Sequence, residues 1–266
     1  MKTYKDEITI AKNKRGCYIL DTVKGCSGCN KLHPKGCYDN CYAQNIASRY
    51  GFNFSSTVKR DFKRDTEQLY LFGFKDQKHE SEIISQIKEI DMPFVRIGEM
   101  GDPSEDWEHT INICEIIAQS GKPIVIITKH WKSIPSQLLS SVSRLNLCIN
   151  TSVSALDDTY ELDYRIEQYE RLKPYCKSVL RIVTCDFNRR TKQGYIKGAI
   201  QDAMLRKDKV VETVFRPNKN NSLVINKIIN VKKVKFLKSY VLASVRDDKT
   251  YFGECKNCPE MCGINL

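Results

Sequence analysis

The sequence predicts an α/β protein whose core is a partial barrel of six β/α units. Apolar runs of strand length alternate along the chain with segments of helical spacing, a pattern typical of parallel sheets. The run PIVIIT is apolar almost throughout, and such runs are expected of parallel strands buried on both faces. Only about six β/α units fit before residue 217, whereas a closed eight-unit barrel needs about 250 residues as a rule. A partial barrel is therefore the more economical solution.

The predicted elements follow one another in a regular order. The first strand, CYILDTV, precedes a cysteine-rich loop and a helix with Ala and Ile on one face, and PIVIIT is a continuous apolar strand. The helix TINICEIIAQS ends at Gly121. Six strands are predicted at 17–23, 93–99, 123–128, 145–154, 178–185 and 209–215. Six helices are predicted at 42–50, 81–90, 110–120, 134–142, 164–175 and 194–205.

Composition divides the chain into a barrel and an extension. Residues 1–216 contain the β/α series and form the predicted barrel. Residues 217–266 are a basic C-terminal extension that begins with a loop-like NKNNS stretch and ends in a second cysteine cluster, YFGECKNCPEMCGINL. We expect this cluster to pack back on the barrel.

Charge and cysteine content restrict the class of protein. The 266 residues carry a net charge of +11, and no apolar run approaches the roughly 20 residues of a membrane span. The charged N-terminus has no apolar core of a signal peptide, which favours the cytoplasm. In that reducing compartment, clustered cysteines among the twelve present indicate metal binding rather than disulfides. The basic balance favours a nucleic acid partner, although a solvated basic surface explains it equally well.

Four cysteines follow the first predicted strand within sixteen positions. They are Cys26, Cys29, Cys37 and Cys41. Because the loops after parallel strands gather at the carboxyl ends of a barrel, these thiols are expected at its functional end. Four thiolates bind zinc tetrahedrally, and thiolates also hold iron–sulfur clusters. Spacing alone does not choose between a structural zinc site and a cluster.

Two segments carry a resemblance to a known family. They are GCYDNCYA in the cysteine loop and VRIGEMGDPSEDWEHT after the second strand. Over roughly residues 17–185 the chain resembles the radical S-adenosylmethionine (SAM) enzymes, specifically a phage-associated group loosely related to spore photoproduct lyase. The commonest loop of that superfamily is CxxxCxxC. Here Cys37 and Cys41 have the first interval, but Gln44 stands at the third cysteine position.

The resemblance implies a radical SAM barrel with a [4Fe–4S] cluster held by three thiolates. Cys37 and Cys41 would be two ligands, and the third would be Cys26 or Cys29. The open iron would bind SAM, which is cleaved reductively to a radical that abstracts hydrogen from the substrate, with an electron donor such as flavodoxin or ferredoxin. The substrate is not identified, and the charge favours a nucleic acid or nucleotide. The alternative is a non-catalytic zinc protein that binds nucleic acid.

The C-terminal cysteines suggest a second metal site. Cys255, Cys258 and Cys262 lie within eight positions of each other. The loop has one cysteine more than the three that a radical SAM cluster needs. We therefore hypothesise that the spare loop cysteine, or another cysteine, joins the tail trio around an auxiliary iron–sulfur cluster or a structural zinc.

Further residues are assigned to SAM through the resemblance. Glu99 follows the second strand, where radical SAM enzymes carry a Gly-Gly-Glu-like segment for the SAM amino group, although a surface turn would also explain it. Ser152 and Ser154 would contact the ribose or carboxylate, or simply end a polar strand. Arg181 would bind the carboxylate if it faces the barrel interior, but the period of two leaves the outward face open.

Other strand ends supply candidates for the substrate cavity or for local structure. Lys129, His130 and Trp131 would line the cavity or anchor a loop, and Arg216 is a comparable candidate. Asp102 and the EDWEH run would order a loop, touch substrate or cap a helix. The isolated cysteines are expected to be structural, and they are Cys114, Cys148, Cys176 and Cys185. The sequence has no nucleophile elbow, Walker A or GxGxxG motif.

Overall fold

The computed structural model describes residues 6–30, 33–62, 78–233, 241–242 and 254–266. Its main sheet has seven strands in the order β1-β2-β5-β6-β7-β8-β9. The first strand pairs antiparallel with the second, and every later pair is parallel. The strands are β1 (Ala11–Lys12), β2 (Tyr18–Leu20), β5 (Val95–Ile97), β6 (Ile124–Thr128), β7 (Leu147–Val153), β8 (Lys177–Thr184) and β9 (Val210–Val214).

Two short antiparallel pairs lie outside this sheet. One joins β3 (Val23–Lys24) to β4 (Val58–Lys59) and the other joins β10 (Lys232–Lys233) to β11 (Val241–Leu242). Neither pair is predicted from the sequence, because two-residue strands carry too little pattern to detect. The same reason explains why β1 is not predicted.

Seven helices occur among the described residues. They are α1 (Tyr42–Arg49), α2 (Lys78–Glu89), α3 (Trp107–Ile117), α4 (Leu139–Arg144), α5 (Thr159–Leu172), α6 (Lys192–Leu205) and α7 (Ser222–Ile225). Polar caps decide where three of them begin. The side chains of Asp106, Asp158 and Thr191 accept hydrogen bonds from the backbone amides three residues later. Consequently α3 and α5 begin earlier than apolar spacing alone predicts.

The two faces of the sheet have different partners. One face carries Ile124, Ile126 and Ile149, which form a continuous core with apolar residues of α2 and α3. Leu180 and Ile182 extend the same face toward α5 and α6 in a second core. Burying this face against helices removes a large apolar area from water, which is the main stabilising contribution to such a layered fold.

The C-terminal segment covers the opposite face, called here the tail face. This face carries Cys148, Asn150, Val179 and Arg181, as the alternation and the strand register show. Asn150 Nδ2 donates to the Cys262 carbonyl at 2.9 Å, and Lys177 Nζ donates to the Ile264 carbonyl at 2.6 Å. Residues 262–264 therefore lie directly on the tail face.

The α/β fold with a mostly parallel sheet is confirmed, and each of the six predicted strands corresponds to an observed one. The closure of this sheet into a six-unit partial barrel and the boundary at residue 216 remain predictions. Among the described residues, no helix is long and apolar enough to cross a membrane.

Candidate active site

The cysteine loop of residues 25–41 lies at the carboxyl ends of the parallel strands. The amide of Gly25 donates to the carbonyl of Met100, which follows β5, at 3.0 Å. At the other side, Asn40 Nδ2 donates to the carbonyl of Arg216, which follows β9, at 2.9 Å. The loop is thus tied to chain segments after both strands, at the edge where parallel α/β folds place their functional residues.

Gly28 allows the loop to pack on Trp131. A Cβ at this position would lie 2.1 Å from Trp131 Cζ2, so any larger residue would displace the loop or the ring. The guanidinium of Arg165 lies 4.8 Å from the centre of the same indole ring. Trp131 therefore joins the cysteine loop to α5.

Three loop thiols, those of Cys29, Cys37 and Cys41, act on one another, and Cys37 acts on Cys26 as well. Burial raises the pKa of Cys29, Cys37 and Cys41. The charge of Cys37 raises the pKa of Cys29 further, that of Cys41 acts on Cys37, and that of Cys29 acts on Cys41. Lys129 lowers the pKa of both Cys37 and Cys41. A nearby cation favours the thiolate, which is the form that ligates a metal.

Cys26 differs from the other loop cysteines in its surroundings. Burial raises its pKa most, followed by the carboxylate of Asp102, the thiol of Cys37 and the carboxylate of Glu105. Glu105 also accepts a hydrogen bond from the Ser27 amide at 2.6 Å, which fixes it beside the loop. Two carboxylates next to Cys26 disfavour its thiolate form.

A buried polar network lies beside Cys37 and is built around Asp157. Asp157 Oδ1 accepts from Tyr38 Oη at 2.7 Å and lies 3.0 Å from Lys129 Nζ and 2.8 Å from Arg165 Nη1. Lys129 also donates to Tyr38 Oη. Only 2% of the Asp157 side chain and 2% of the Arg165 side chain are exposed. Tyr38 is the residue after Cys37, so the network positions the loop directly.

The network sets the protonation of its members. Burial alone would raise the pKa of Asp157, but Lys129 and Arg165 hold it below its usual range. Burial and the Asp157 charge raise the pKa of Tyr38 well above its usual value. At neutral pH the network therefore holds an ionised carboxylate, two cations and a neutral phenol. Sequence reasoning missed Tyr38 and Asp157, because they are 119 positions apart.

A cleft of about 390 Å³ opens next to these residues. It contains one loop thiol, that of Cys37, and the ring of Trp131. Arg165 and Lys197 supply cationic groups, and four carboxylates supply anionic ones, those of Asp39, Asp157, Asp158 and Glu161. The cleft is large enough for a small organic ligand. It is the candidate substrate site.

Asp102 orders the loop after β5. Its carboxylate accepts from Thr128 Oγ1 at 2.6 Å, from the Lys129 amide at 2.8 Å and from the Ser104 amide at 2.9 Å. The side chain is buried, and these bonds join the ends of β5 and β6. The EDWEH segment has the helix-capping role, because Asp106 caps α3. The carboxylate of Asp106 also lies 2.6 Å from Lys59 Nζ.

Glu99 lies just after β5, as predicted. Its amide donates to Asp21 Oδ1 at 2.8 Å, and its carboxylate is 3.8 Å from Arg96 Nη2. Burial raises the pKa of Glu99, and Arg96 opposes that increase. The predicted contact with SAM is not tested by these bonds.

Ser152 and Ser154 occupy different environments. Ser152 is the register partner of Arg181, and both lie on the tail face. Ser154 donates from its hydroxyl to the Val183 carbonyl at 2.8 Å, and its amide donates to Asp157 Oδ2 at 2.8 Å. Ser154 therefore joins β7 to β8 and to the buried network. A SAM contact stays a prediction for both serines.

Arg181 lies with the C-terminal cysteines. It lines a cavity of about 50 Å³ together with Cys255, Cys258 and Cys262. Arg181 Nη1 is 3.5 Å from Asn150 Oδ1. The tail trio is thus on the tail face, and Arg216, predicted for the substrate cavity, lines this second cavity instead.

Cys17 joins the tail trio and was missed from the sequence. It is buried just before β2, its thiol donates to the Tyr18 carbonyl at 3.7 Å, and it lies two residues from Arg15, whose carbonyl accepts from the Cys255 amide. Interaction with Cys255 and burial raise the pKa of Cys17, whereas interaction with Cys17, together with Arg15, Arg96 and Arg181, lowers the pKa of Cys255 to about 6. No sequence signal marks Cys17, which stands alone in an apolar strand.

The residues after β6 separate into two roles. Lys129 belongs to the Asp157 network and Trp131 lines the cleft. His130 is instead fully buried 5.4 Å from the Trp107 ring centre, and neither ring nitrogen has a hydrogen-bond partner among the described residues. Burial, followed by Arg165 and Arg171, lowers its pKa to about 3. His130 therefore packs as a neutral ring.

The isolated cysteines lie among apolar residues, in agreement with a structural interpretation. Among the residues that the structure describes, no three Cys, His, Asp or Glu side chains are already arranged around one metal position. The loop nevertheless offers a suitable donor set for an iron–sulfur cluster. Its three neighbouring thiols are soft ligands, and Lys129 provides the compensating charge.

Comparisons with known proteins give a fold but no family. No protein-family model matches the sequence, and no curated protein matches it either. The structure is similar to that of a spore photoproduct lyase double mutant with bound AdoMet and dinucleoside spore photoproduct. The alignment covers 90% of this chain and 72% of that chain, with a TM-score of 0.53 and 15% sequence identity. The chain therefore shares the fold of spore photoproduct lyase.

Proposed function

We propose that this chain is a radical SAM enzyme, related in fold to spore photoproduct lyase and in its loop to the phage-associated group. The observation that carries the proposal is the set of three neighbouring thiols at the carboxyl ends of a parallel sheet, next to a cleft. Cys29, Cys37 and Cys41 would hold a [4Fe–4S] cluster. The fold likeness supports the proposal, because the similar structure contains AdoMet.

Cys29 is preferred over Cys26 as the third ligand. Cys29 neighbours both Cys37 and Cys41, whereas the carboxylates of Asp102 and Glu105 border Cys26. A thiolate is more easily formed away from negative charge. This choice also explains why Gln44 at the usual third position does not prevent binding, since the loop supplies the ligand upstream.

When bound, the cluster supplies an open iron for SAM and the electron for its reductive cleavage. The chain's own residues prepare the site for this chemistry. Lys129 stabilises the thiolates, and Asp157 holds Lys129 and Arg165 in place through its buried ion pairs. Trp131 excludes water from one side of the cleft and presents an aromatic face to a ligand.

Three residues are proposed for SAM itself. Ser152, on the tail face, would contact the ribose or carboxylate of SAM, whereas its register partner Arg181 lines the tail cavity with Cys255, Cys258 and Cys262 and is not retained for SAM. Glu99, after β5, would receive the amino group. Ser154 is a weaker candidate, because its hydroxyl already donates to the Val183 carbonyl.

The proposed substrate is a nucleic acid or nucleotide. The net charge of +11 favours an anionic partner, and Lys197 and Trp131 offer a cation and a stacking surface within the cleft, where Arg165 is paired with Asp157 and Glu161. The similar structure has a dinucleoside spore photoproduct bound. A flavodoxin or ferredoxin would supply the electron. A reducing, cytoplasmic location fits the twelve free cysteines.

The proposal is tested by anaerobic purification, reconstitution with iron and sulfide, and incubation with SAM and dithionite. We expect a brown protein that absorbs near ~400 nm and forms 5′-deoxyadenosine. The Cys37→Ala variant should form none, whereas the Cys114→Ser variant, changed in a buried isolated cysteine, should behave like the wild type. Colourless protein without 5′-deoxyadenosine would contradict the proposal.

A second candidate is a non-catalytic zinc protein that binds nucleic acid. It is favoured by the loop's fourth thiol, because four thiolates complete a tetrahedral zinc site and leave no open position. The same purification separates the two candidates. Tightly bound zinc in the loop, with no iron after reconstitution, would establish the second.

A further inference from the structure

A second group of four cysteines, called here the tail site, lies away from the proposed cluster. It comprises Cys17, Cys255, Cys258 and Cys262. Cys17 stands immediately before β2, whereas the cysteine loop follows that strand. Cys17 and the cysteine loop therefore flank β2 in the chain, and the spare loop cysteine, Cys26, is bordered by Asp102 and Glu105.

Backbone hydrogen bonds hold the tail site together. The Cys255 amide donates to the Arg15 carbonyl at 2.7 Å, which fixes the tail beside the residues that precede β2. The Cys258 amide donates to the Cys255 carbonyl at 3.1 Å and closes a tight turn. Cys262 adopts a left-handed backbone conformation, with φ of 55°. Such a conformation is unusual for a residue other than glycine and indicates a position held by its surroundings.

Charge around the tail site favours an anionic occupant. Four guanidinium groups line the 50 Å³ cavity with the tail thiols, and they outnumber the two carboxylates that share it, Glu212 and Glu260. The arginines are Arg15, Arg96, Arg181 and Arg216. A guanidinium group does not lose its proton in a protein, so the excess positive charge persists. Four thiolates around a divalent ion have a net negative charge that would compensate it.

Cys148 is the other cysteine near the tail, but it is bonded differently. Its thiol lies 3.6 Å from the Cys262 carbonyl, to which it donates. Cys262 is the tail thiol whose charge acts on Cys148. Cys17 instead lies two residues from Arg15, whose carbonyl accepts from the Cys255 amide, and both Cys255 and Cys262 act on its pKa. Cys17 is therefore the better fourth ligand.

We infer that Cys17, Cys255, Cys258 and Cys262 bind one tetrahedral Zn²⁺ in a closed site that holds the C-terminal tail on the sheet. The spacing Cys255-x2-Cys258 is common among zinc ligands, and four protein thiolates leave no position for substrate. A cavity of about 50 Å³ suits a single ion better than a four-iron cluster. The thiols would turn about their side-chain bonds to meet the ion.

The tail site is tested in the full-length chain without the loop thiols. The variant Cys26→Ser, Cys29→Ser, Cys37→Ser, Cys41→Ser, purified without oxygen, should retain one zinc per chain by elemental analysis. Adding Cys17→Ser should reduce zinc to background, whereas adding Cys148→Ser should leave it unchanged. Two results would overturn the inference. One is zinc that persists after Cys17→Ser is added, and the other is a loop variant, with its tail cysteines intact, that contains no zinc.

A measurement on the unmutated protein guards against variants that fail to fold. Alkylation followed by peptide mass spectrometry should show Cys17 and the tail trio protected, and a zinc chelator should expose all four together. Cys17 labelled at the same rate before and after chelation would overturn the inference. Iron with sulfide at these four residues would overturn the choice of a single ion. Because 5′-deoxyadenosine formation reports only on the loop, failure of this inference is distinguishable from failure of the proposed function.

Discussion

The two cysteine groups differ less in their thiols than in what surrounds them. The cysteine loop borders an open cleft of about 390 Å³ and has the cations Lys129 and Arg165 near Cys37, together with carboxylates beside Cys26. The tail site borders a cavity of about 50 Å³ that four arginines line. An open set of three ligands suits a metal centre that must bind substrate, and a closed set of four suits a structural ion. Thiol number alone would not separate them.

The largest expected effect is at the loop and concerns the third ligand. Cys29→Ser should abolish the iron–sulfur absorption and lower 5′-deoxyadenosine formation by more than about 100-fold, because losing even a group that only positions a ligand costs about 10- to 100-fold. Cys26→Ser is the matched control and should retain both. If Cys26→Ser loses the cluster and Cys29→Ser keeps it, Cys26 is the third ligand and Cys29 is the spare cysteine, contrary to the assignment made above.

Next in size is the buried network that supports the loop. Asp157→Asn should lower the free energy of unfolding by about 3–5 kcal/mol, since it leaves the cations of Lys129 and Arg165 buried without their charge partner. Denaturant unfolding at pH 7 measures the effect. Asp163→Asn, at an exposed position of α5, is the control and should change stability little.

The same network predicts a pH dependence. The pKa of folded Asp157 is lowered, so its stabilising contribution is present above the unfolded-state pKa of about 3.9 and is lost as the pH falls toward the folded value. The stability difference between the wild type and Asp157→Asn should accordingly be constant near neutral pH and shrink below about pH 4. A difference that grew in acid would contradict this assignment.

A smaller effect is expected from His130, whose ring nitrogens have no hydrogen-bond partner in the part of the chain that the structure describes. Its folded pKa of about 3 lies below the unfolded value of about 6.5, so stability is lost as the pH falls between them. At pH 5 the loss is about 2 kcal/mol. His130→Asn removes this titration and tolerates the positive φ, so its stability should fall less from pH 7.5 to pH 5. Parallel curves would show that His130 is not the responsible group.

The smallest effect tests how the tail is held. Asn150→Ala removes the hydrogen bond to the Cys262 carbonyl and should cost about 1 kcal/mol of unfolding free energy. It should also speed hydrogen exchange in residues 255–266. Thr151→Val is the control on the opposite face, because the Thr151 hydroxyl has no partner among the described residues. Unchanged exchange in Asn150→Ala would mean that the tail is held elsewhere.

The sequence was informative where a feature is local. The six parallel strands are largely apolar runs of strand length, and the loop cysteines are close together in the chain, so both could be predicted. The starts of α3 and α5 were placed too late because Asp106 and Asp158 determine them through single capping bonds rather than through apolar spacing.

The remainder depends on contacts between distant parts of the chain. The pairing of Tyr38 with Asp157 and of Cys17 with Cys255 arises only when the strands align. The placement of Arg181 and Arg216 beside the tail cysteines has the same origin.

By itself, then, the sequence determined the α/β alternation, the position of a thiol-rich loop after the first parallel strand and the presence of a second cysteine cluster. Only the tertiary structure decided which thiols are neighbours, which face the tail covers and which charges surround each group. The physical reason is that apolar periodicity and short-range spacing act within one element. Ligand sets and electrostatic environments are formed by side chains that only the packing of the sheet brings together.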